Sequence, residues 1–170
     1  RQSRIGLGGR PFTIFKFRSM RLNADTRQHA DHFAKLIETN TSMTKLDSLG
    51  DSRMIPGGCW IRAAGLDELP QLLNVLRGEM SLVGPRPCLP QEFERYENWH
   101  KARVYIPPGL TGYWQVNGKN KTSFKQMVEL DLLYAERMSL GLDLAVMLAT
   151  IPALILQFVE ARSRCIQDDL

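Results

Sequence analysis

The order of apolar and polar residues along this chain of 170 residues predicts a short β-hairpin followed by a series of helices. Apolar and polar side chains alternate over residues 12–17, as they do along a strand, and a glycine-rich turn precedes Pro11. Helices are predicted over residues 23–37, 69–76, 91–103 and 123–138, whereas 38–52 is predicted to be a loop and 110–116 to be extended. The predicted fold class is therefore α+β, mostly helical with a small β-hairpin.

The last apolar segment runs from Leu144 to Val159 and is almost entirely apolar. It is shorter than the roughly 20 residues that cross a bilayer, and Pro152 interrupts it. We therefore expect an interfacial amphipathic helix, or one that packs on the core, and not a helix that spans the membrane.

The composition is typical of a folded globular protein, and the positive net charge favours anionic partners. With 44% hydrophobic and 24% charged residues, a single domain over 1–170 with a substantial core is expected. The net charge of +4 fits nucleotides, lipid phosphates, a membrane surface or nucleic acid. The three cysteines lack the spacing of a zinc site, so we expect free thiols in a reducing compartment.

An adjacent acidic pair, Asp67 and Glu68, stands at the start of the predicted helix 69–76. Asp67 is placed to cap this helix, and a helix N-terminus also stabilises bound phosphate, so a capping role and a chemical role are compatible. The pair offers a nucleophile and a metal ligand. Arg62 and Arg86 can clamp phosphate oxygens through charge-assisted hydrogen bonds.

Taken together and in order, the motifs of this chain resemble the catalytic domain of bacterial sugar transferases, the monotopic polyprenyl-phosphate phosphoglycosyl transferases. The resemblance covers almost the whole chain, and the ordered set is far more specific than any one fragment. The most informative segments are KFRSM at 16–20, LDELPQL at 66–72, GEMSLVGPRP at 78–87, PGLTG at 108–112 and QVNGKN at 115–120.

This resemblance implies a reaction in two steps. In the family, a carboxylate attacks the β-phosphate of a nucleoside-diphosphate sugar, usually a UDP-sugar, UMP leaves, and a sugar phosphate stays on the enzyme. Polyprenyl phosphate, such as undecaprenyl phosphate, then takes the sugar phosphate, which initiates exopolysaccharide, O-antigen or glycan assembly. The resemblance implies that Asp67 is the nucleophile and Glu68 a ligand of Mg²⁺.

The resemblance also implies a set of residues that bind phosphate or substrate. These are Lys16, Arg62, Arg86, Lys119, Asn120, Lys121 and Asp131. Such proteins are attached to the cytoplasmic face of the bacterial inner membrane, an arrangement with which a homodimer is compatible. Since the hydrophobic membrane helix that precedes the family's catalytic domain is not in this sequence, we expect an N-terminally truncated catalytic domain.

Three other interpretations remain open at this point. The chain could be a catalytically silent interaction domain attached to a membrane, or a conventional glycosyl transferase that releases UDP. A nucleic-acid-binding module would use Trp60, Trp99 and Trp114 as stacking platforms. No helix-turn-helix, RNA-recognition or OB-type pattern supports that module, so no nucleic-acid partner is expected.

Overall fold

The computed structural model describes residues 1–21, 35–36, 39, 41–42, 54–118 and 122–165. The predicted helix over 23–37, the predicted loop over 38–52 and the residues Lys119, Asn120 and Lys121 lie wholly or mostly outside the described residues. Within the described residues the structure is mostly helical with two small two-stranded sheets, which confirms the predicted α+β class.

The chain begins with the predicted hairpin. Strands β1 (Gln2–Ile5) and β2 (Pro11–Ile14) pair antiparallel over all four residues of each strand. A 3-10 turn, Leu7–Gly9, joins them. Gly8 and Gly9 have φ angles of 66° and 75°, which side chains other than glycine rarely adopt, so the glycine-rich sequence determines the turn.

Helices make up most of the remaining described chain. They are α1 (Gly58–Ala63), α2 (Leu72–Leu76), α3 (Pro90–Glu94), α4 (Asn98–Lys101), α5 (Tyr113–Val116), α6 (Phe124–Arg137) and α7 (Leu140–Cys165). Helix α6 confirms the prediction over 123–138. Ser123 caps it, because its Oγ accepts a hydrogen bond from the Gln126 N–H while the Gln126 side chain accepts one from the Ser123 N–H.

Two other predicted helices are each made of shorter helical segments, which their apolar spacing did not indicate. The segment predicted as helix 69–76 begins with a 3-10 segment, Leu66–Gln71, that leads directly into α2; this segment contains Pro70, which has no N–H to donate. The segment predicted as helix 91–103 is split into α3, α4 and the 3-10 segment Ala102–Tyr105. The split occurs at Glu97, whose extended backbone (ψ 163°) starts α4 afresh.

The second sheet pairs the strand before α3 and α4 with the strand that follows them. Strands β3 (Ser81–Val83) and β4 (Gly109–Thr111) run parallel. Their backbones approach so closely that a Cβ on Gly109 would lie 2.1 Å from the Gly84 nitrogen, which excludes any larger residue. The prediction that 110–116 is extended is correct only for β4, since the chain turns into α5 after Gly112.

Two groups of buried side chains form the core. The larger joins the hairpin to α3, α4, α5 and α6, and its buried members are Ile5, Leu36, Cys88, Tyr96, Val104, Trp114, Phe124, Met127 and Val128. The smaller joins β3, α6 and α7 through Val83, Tyr134 and Val146. The Tyr134 hydroxyl, which donates to the Asp143 carboxylate at 2.7 Å, adds a polar tie between α6 and α7.

Helix α7 differs from its prediction in length. Among the described residues it is the one helix long and apolar enough to cross a membrane, with 20 residues from Leu140 to Val159 at a mean hydropathy of 2.1. The expectation that this segment is too short is therefore wrong, because the helix begins four residues before Leu144. Pro152 lies inside the helix and does not end it. One face of α7 packs on the core through Val146, and the opposite face is exposed.

The prediction of three free cysteines is wrong. Cys88 is a free, buried thiol, as expected. Cys59, in α1, is disulfide-bonded, so free thiols cannot serve as an argument for a reducing compartment.

Candidate active site

The acidic pair lies in the first turn of the 3-10 segment Leu66–Gln71. This turn begins at Leu66, and Gly65 occupies the cap position with a left-handed backbone (φ 69°). Asp67 is therefore not the helix cap, and that prediction is wrong. A left-handed glycine directly before the turn lets the chain reverse between α1 and the acidic pair.

The Asp67 carboxyl is almost completely withdrawn from solvent, with the residue only 7% exposed. Burial raises the pKa of Asp67 above its ordinary value, and the neighbouring Glu68 adds to the rise. Lys16 and Arg62 pull the same pKa down. The result is a carboxylate that is more basic than a solvated aspartate and that faces two cations.

Lys16 reaches the acidic pair from the segment after β2. Its Nζ lies 2.7 Å from the Glu68 Oε1, with both side chains partly exposed. The backbone supports this approach, because the Phe17 N–H donates to the Asp67 carbonyl at 2.9 Å. The structure thus brings Lys16 next to two adjacent carboxylates that are far from it in the sequence.

Arg62 lies near the end of α1, and helix α7 holds that end in place. The Gln157 amide donates to the carbonyls of Arg62 and Ala63, each at 3.2 Å. The rings of Trp60 and Phe158 also contact each other, with centroids 5.6 Å apart. Arg62 lowers the pKa of Asp67. The packing of α7 against the end of α1 therefore helps to fix the position of a cation that acts on this carboxyl.

Arg86 lies in the loop after β3, between two prolines that stiffen it. Its Nη1 pairs with the buried Glu92 carboxylate at 3.4 Å, while the side chain stays about a quarter exposed. Two buried arginines hold the loop backbone: Arg103 donates to the Arg86 carbonyl at 3.2 Å, and Arg4 donates to the Pro87 carbonyl at 3.3 Å. This fixed loop leaves the Arg86 guanidinium partly accessible to an anion.

Arg4 was not predicted as a site residue, yet it is buried and donates to the backbone of the Arg86 loop. Burial and the nearby Arg86 lower the pKa of Arg4 to about 10, and Glu68 is among the groups that oppose this shift. Within the described residues the Arg4 Nε has no hydrogen-bond partner. Its place in the basic hairpin was the signal, but the sequence could not distinguish Arg4 from the exposed arginines around it.

Asp131, which was predicted to bind substrate, lies in a buried ion pair. Its side chain is 2% exposed and pairs with Arg103, whose side chain is 1% exposed, at 2.5 Å. Burial raises the pKa of Asp131 to about 6, against the pull of Arg103. This buried ion pair belongs to the packing behind the Arg86 loop and not to an open cleft.

The structure therefore brings together four of the predicted residues: Lys16, Arg62, Asp67 and Glu68. Arg86 lies in the loop that Arg4 holds at the Pro87 carbonyl, and the 119–121 segment lies outside the described residues. Asn74 is a further residue next to the site that the sequence analysis did not identify. It is the only polar side chain among the leucines and valine of α2, and a fully buried amide needs hydrogen-bond partners.

The donor set fits one kind of metal site. No group of three or more His, Cys, Asp or Glu side chains that could hold a metal occurs within the described ranges. The adjacent carboxylates of Asp67 and Glu68 remain, and Mg²⁺ in phosphoryl-transfer sites uses one or two carboxylates together with substrate phosphate oxygens. The Asp67 and Glu68 carboxylates thus fit a Mg²⁺ site of this kind, in which phosphate oxygens would supply the other ligands.

Comparisons with known proteins identify the family. A family model described as bacterial sugar transferase matches residues 1–157. The chain is 39% identical to galactosyl transferase CpsE of Streptococcus agalactiae over 160 residues, which cover 91% of this chain and 34% of that protein. It is 41% identical to exopolysaccharide production protein ExoY of Sinorhizobium fredii over 157 residues, 90% of this chain and 68% of that protein.

A third relative has a more detailed name. The chain is 41% identical over 158 residues to the UDP-glucose:undecaprenyl-phosphate glucose-1-phosphate transferase of Xanthomonas campestris, which covers 88% of this chain and 30% of that protein. The chain thus spans about a third of two of these relatives and about two thirds of the other.

Proposed function

The chain belongs to the bacterial sugar transferase family, and from this premise we propose that it transfers a sugar 1-phosphate from a UDP-sugar to polyprenyl phosphate and releases UMP. The name of the Xanthomonas relative supports the pairing of a UDP-sugar with undecaprenyl phosphate. The product would be the lipid-linked sugar that initiates exopolysaccharide, O-antigen or glycan assembly, in keeping with the name of the Sinorhizobium relative.

The observation that carries this proposal is the environment of Asp67. A buried carboxylate with a raised pKa faces two cations and adjoins a second carboxylate. An oxygen nucleophile that attacks an anionic phosphorus needs the negative charge of its target neutralised, and the cations of this site supply that charge. A helix-capping aspartate, or a pair of acidic residues on the surface, requires neither a buried carboxylate nor nearby cations.

The two steps balance as follows. In the first, an Asp67 oxygen forms a bond to the β-phosphorus of the UDP-sugar, and the bond from that phosphorus to the bridging oxygen breaks, so UMP leaves with the electron pair. In the second, a phosphate oxygen of the lipid attacks the same phosphorus, and the Asp67 carboxylate leaves. The sugar phosphate is thereby transferred and Asp67 is regenerated.

The neighbouring residues have separate tasks in this scheme. Lys16 and Arg62 favour the ionised form of Asp67, and Arg86, held by Arg4, binds phosphate oxygens as they approach. Glu68, beside Asp67, would hold Mg²⁺, which when bound supplies positive charge to the diphosphate.

The location follows from the same proposal. A lipid-linked acceptor requires that the site lie at a membrane surface, and we place this chain at the cytoplasmic face of the bacterial inner membrane. The exposed apolar residues of α2 and α7 support that placement, since both helices pack next to the acidic pair.

The experiment measures nucleotide release from a panel of UDP-sugars with Mg²⁺, undecaprenyl phosphate and detergent. We expect UMP with one or a few sugars, and loss of that release by at least a thousandfold in Asp67→Asn, because an amide oxygen cannot form the intermediate. Glu136→Gln, an acid-to-amide change on the exposed surface of α6, serves as the matched control and should keep full activity.

Two further readouts separate the alternatives. With UDP-sugar labelled in the β-phosphate and no lipid acceptor, the label should stay on the protein in the wild type and not in Asp67→Asn. Release of UDP would instead indicate a conventional glycosyl transferase. A folded protein that releases neither nucleotide from a wide panel would be a silent interaction domain, which contradicts the proposal.

A further inference from the structure

The amide of Asn74 is the most completely buried polar group next to the candidate site. The residue is 0% exposed, and it lies in the middle of the short helix α2. Its Nδ2 donates to the Thr13 carbonyl at 2.8 Å and to the Glu79 carboxylate at 2.6 Å. Its Oδ1 accepts from the Phe15 N–H at 3.2 Å. Both amide hydrogens and the oxygen therefore have partners on other segments.

These bonds hold the end of β2 and the segment that follows it. Thr13 and Phe15 are on the same side of the chain, two residues apart, and Asn74 bonds to the backbone of both. The next residue but one, Phe17, donates its N–H to the Asp67 carbonyl at 2.9 Å. Lys16 lies between these two anchored N–H groups, so its backbone position is determined on both sides.

The Phe15 ring adds a third contact to the same place. The guanidinium of Arg77, which directly follows α2, lies 5.1 Å from the ring centroid, and that of Arg1 lies 5.6 Å from it. The segment that carries Lys16 is thus attached to α2 by an amide and an arginine. Because α2 is continuous with the 3-10 segment that carries Asp67 and Glu68, one rigid unit supports all three charged groups.

We propose that Asn74 is a positioning residue that sets the register of the Lys16 segment against the Asp67–Glu68 pair. Its amide fits this task because it offers a donor and an acceptor at once to a segment that has both an N–H and a carbonyl turned toward α2. A leucine at this position would fill the space and leave three polar groups without partners. The consequence for the reaction rests on the proposed function, whereas the positioning itself does not.

The chemical consequence concerns the place of the Lys16 ammonium beside the acidic pair. Its Nζ lies 2.7 Å from the Glu68 Oε1, and this contact depends on the backbone position of the Lys16 segment. When the segment shifts, the ammonium no longer lies where it would meet a phosphate next to the pair, so the rate of UMP release falls.

The test compares Asn74→Ala, Asn74→Asp and the double variant N74D/E79Q. In Asn74→Asp an added carboxylate meets the Glu79 carboxylate, and the donor to both partners is lost. In N74D/E79Q the introduced side-chain amide at position 79 can donate to the new carboxylate, so the contact between positions 74 and 79 is restored with donor and acceptor exchanged, while the bond to the Thr13 carbonyl stays lost. Val146→Ala, in the smaller core group, is the control for general loss of stability.

Hydrogen exchange at the Phe15 and Phe17 amides is the first readout, and it needs no substrate. We expect exchange about tenfold or more faster in Asn74→Ala and Asn74→Asp than in Val146→Ala, and a return toward wild type in N74D/E79Q. Acylation of the Lys16 amine should accelerate in parallel, since the ion pair with Glu68 is weakened. Unchanged exchange at both amides would overturn the proposal.

The rate of UMP release at saturating substrate is the second readout. It should fall about tenfold or more in the two single variants and recover in part in N74D/E79Q, while the substrate concentration for half-maximal rate changes less. A rate that falls no further than in Val146→Ala, or that N74D/E79Q does not recover, would mean that Asn74 only stabilises the fold and would also overturn the proposal. If the wild type releases no UMP, the proposed function fails, and hydrogen exchange with Lys16 acylation alone decides the role of Asn74.

Discussion

At the scale of single residues, the chemistry of this protein depends on what surrounds one carboxyl group. Asp67 and Glu68 are adjacent in sequence, but their environments differ: Asp67 is buried, while Glu68 is partly exposed and paired with Lys16. Burial raises the pKa of Asp67 and nearby cations lower it again. The two neighbouring acids therefore differ in environment, and in the proposed reaction Asp67 is the nucleophile and Glu68 the ligand for cations.

The first prediction at this scale concerns pH. The proposed reaction needs the ionised form of Asp67, so its rate should rise with pH through the pKa of this group, at a higher pH than for an ordinary aspartate. Lys16→Met removes a group that lowers this pKa, and the acid limb should therefore move further up. The measurement is the pH profile of UMP release in single turnover, with Lys101→Met in α4 as the matched control. An acid limb that stays in place would show that Lys16 does not act on Asp67.

At the scale of elements, the Arg86 loop is held from behind by a buried ion pair. Arg103, in the 3-10 segment Ala102–Tyr105, pairs with Asp131 of α6 and donates both to the Tyr96 hydroxyl and to the Arg86 carbonyl. Burial of two charges costs much of what their attraction contributes. The pair therefore contributes chiefly to placing the loop, α6 and the 3-10 segment in one arrangement.

We predict that each single variant of this pair loses more unfolding free energy than the double variant does. Arg103→Met leaves the Asp131 carboxylate buried without its cation, and we expect unfolding free energy to fall by about 3–5 kcal/mol. Asp131→Leu should cost a similar amount. The double variant R103M/D131L should recover most of the loss, because neither charge is then buried alone.

Urea unfolding of the four proteins measures this effect, with Arg137→Met at the exposed end of α6 as the control. Additive losses in the double variant would contradict the account of a coupled pair. Phosphate affinity should remain impaired even where stability returns, since the Arg86 carbonyl has lost the guanidinium that holds it.

At the scale of the whole molecule, exposed apolar side chains are concentrated next to the acidic pair. They belong to the 3-10 segment Leu66–Gln71, to α2 and to the outer face of α7, and include Leu66, Leu69, Leu73, Leu76, Leu148, Ile151 and Ile155. Leu76 is 83% exposed. Contact between α7 and the turn at Gly65 joins the two groups, because a Cβ at Gly65 would lie 3.2 Å from Leu154. This apolar face places the candidate site beside a surface that suits lipid.

The corresponding prediction concerns binding to vesicles. Ile151→Glu and Leu148→Glu should each lower the fraction of protein bound to vesicles of anionic bacterial lipids by about tenfold, since each places a charge in the apolar face. Leu7→Glu, at an exposed apolar position on the hairpin, controls for the added charge and should change binding little. Co-sedimentation at fixed salt measures the bound fraction. Equal losses in all three variants would show that charge alone, and not the apolar face, decides binding.

Sequence reasoning succeeded where the determining interaction is local. Alternating side chains and left-handed glycines specify the hairpin, and a Ser123–Gln126 capping box with regular apolar spacing specifies α6. It failed where several short elements share one apolar pattern, as over 91–103, since the spacing is the same whether the helix is continuous or interrupted at Glu97. It also failed at Asp67, where Gly65 takes the cap position that the aspartate was expected to occupy.

By itself the sequence determined the α+β class, the hairpin and the presence of an adjacent acidic pair, because these depend on residue types and spacings that are read along the chain. Only the tertiary structure decided that Lys16 reaches Glu68, that Asp131 is buried against Arg103, and that Asn74 joins β2 to α2. Those facts depend on which distant segments meet. A charged residue has the same letter in an open site and in a buried pair, and only its neighbours in space determine its protonation and its role.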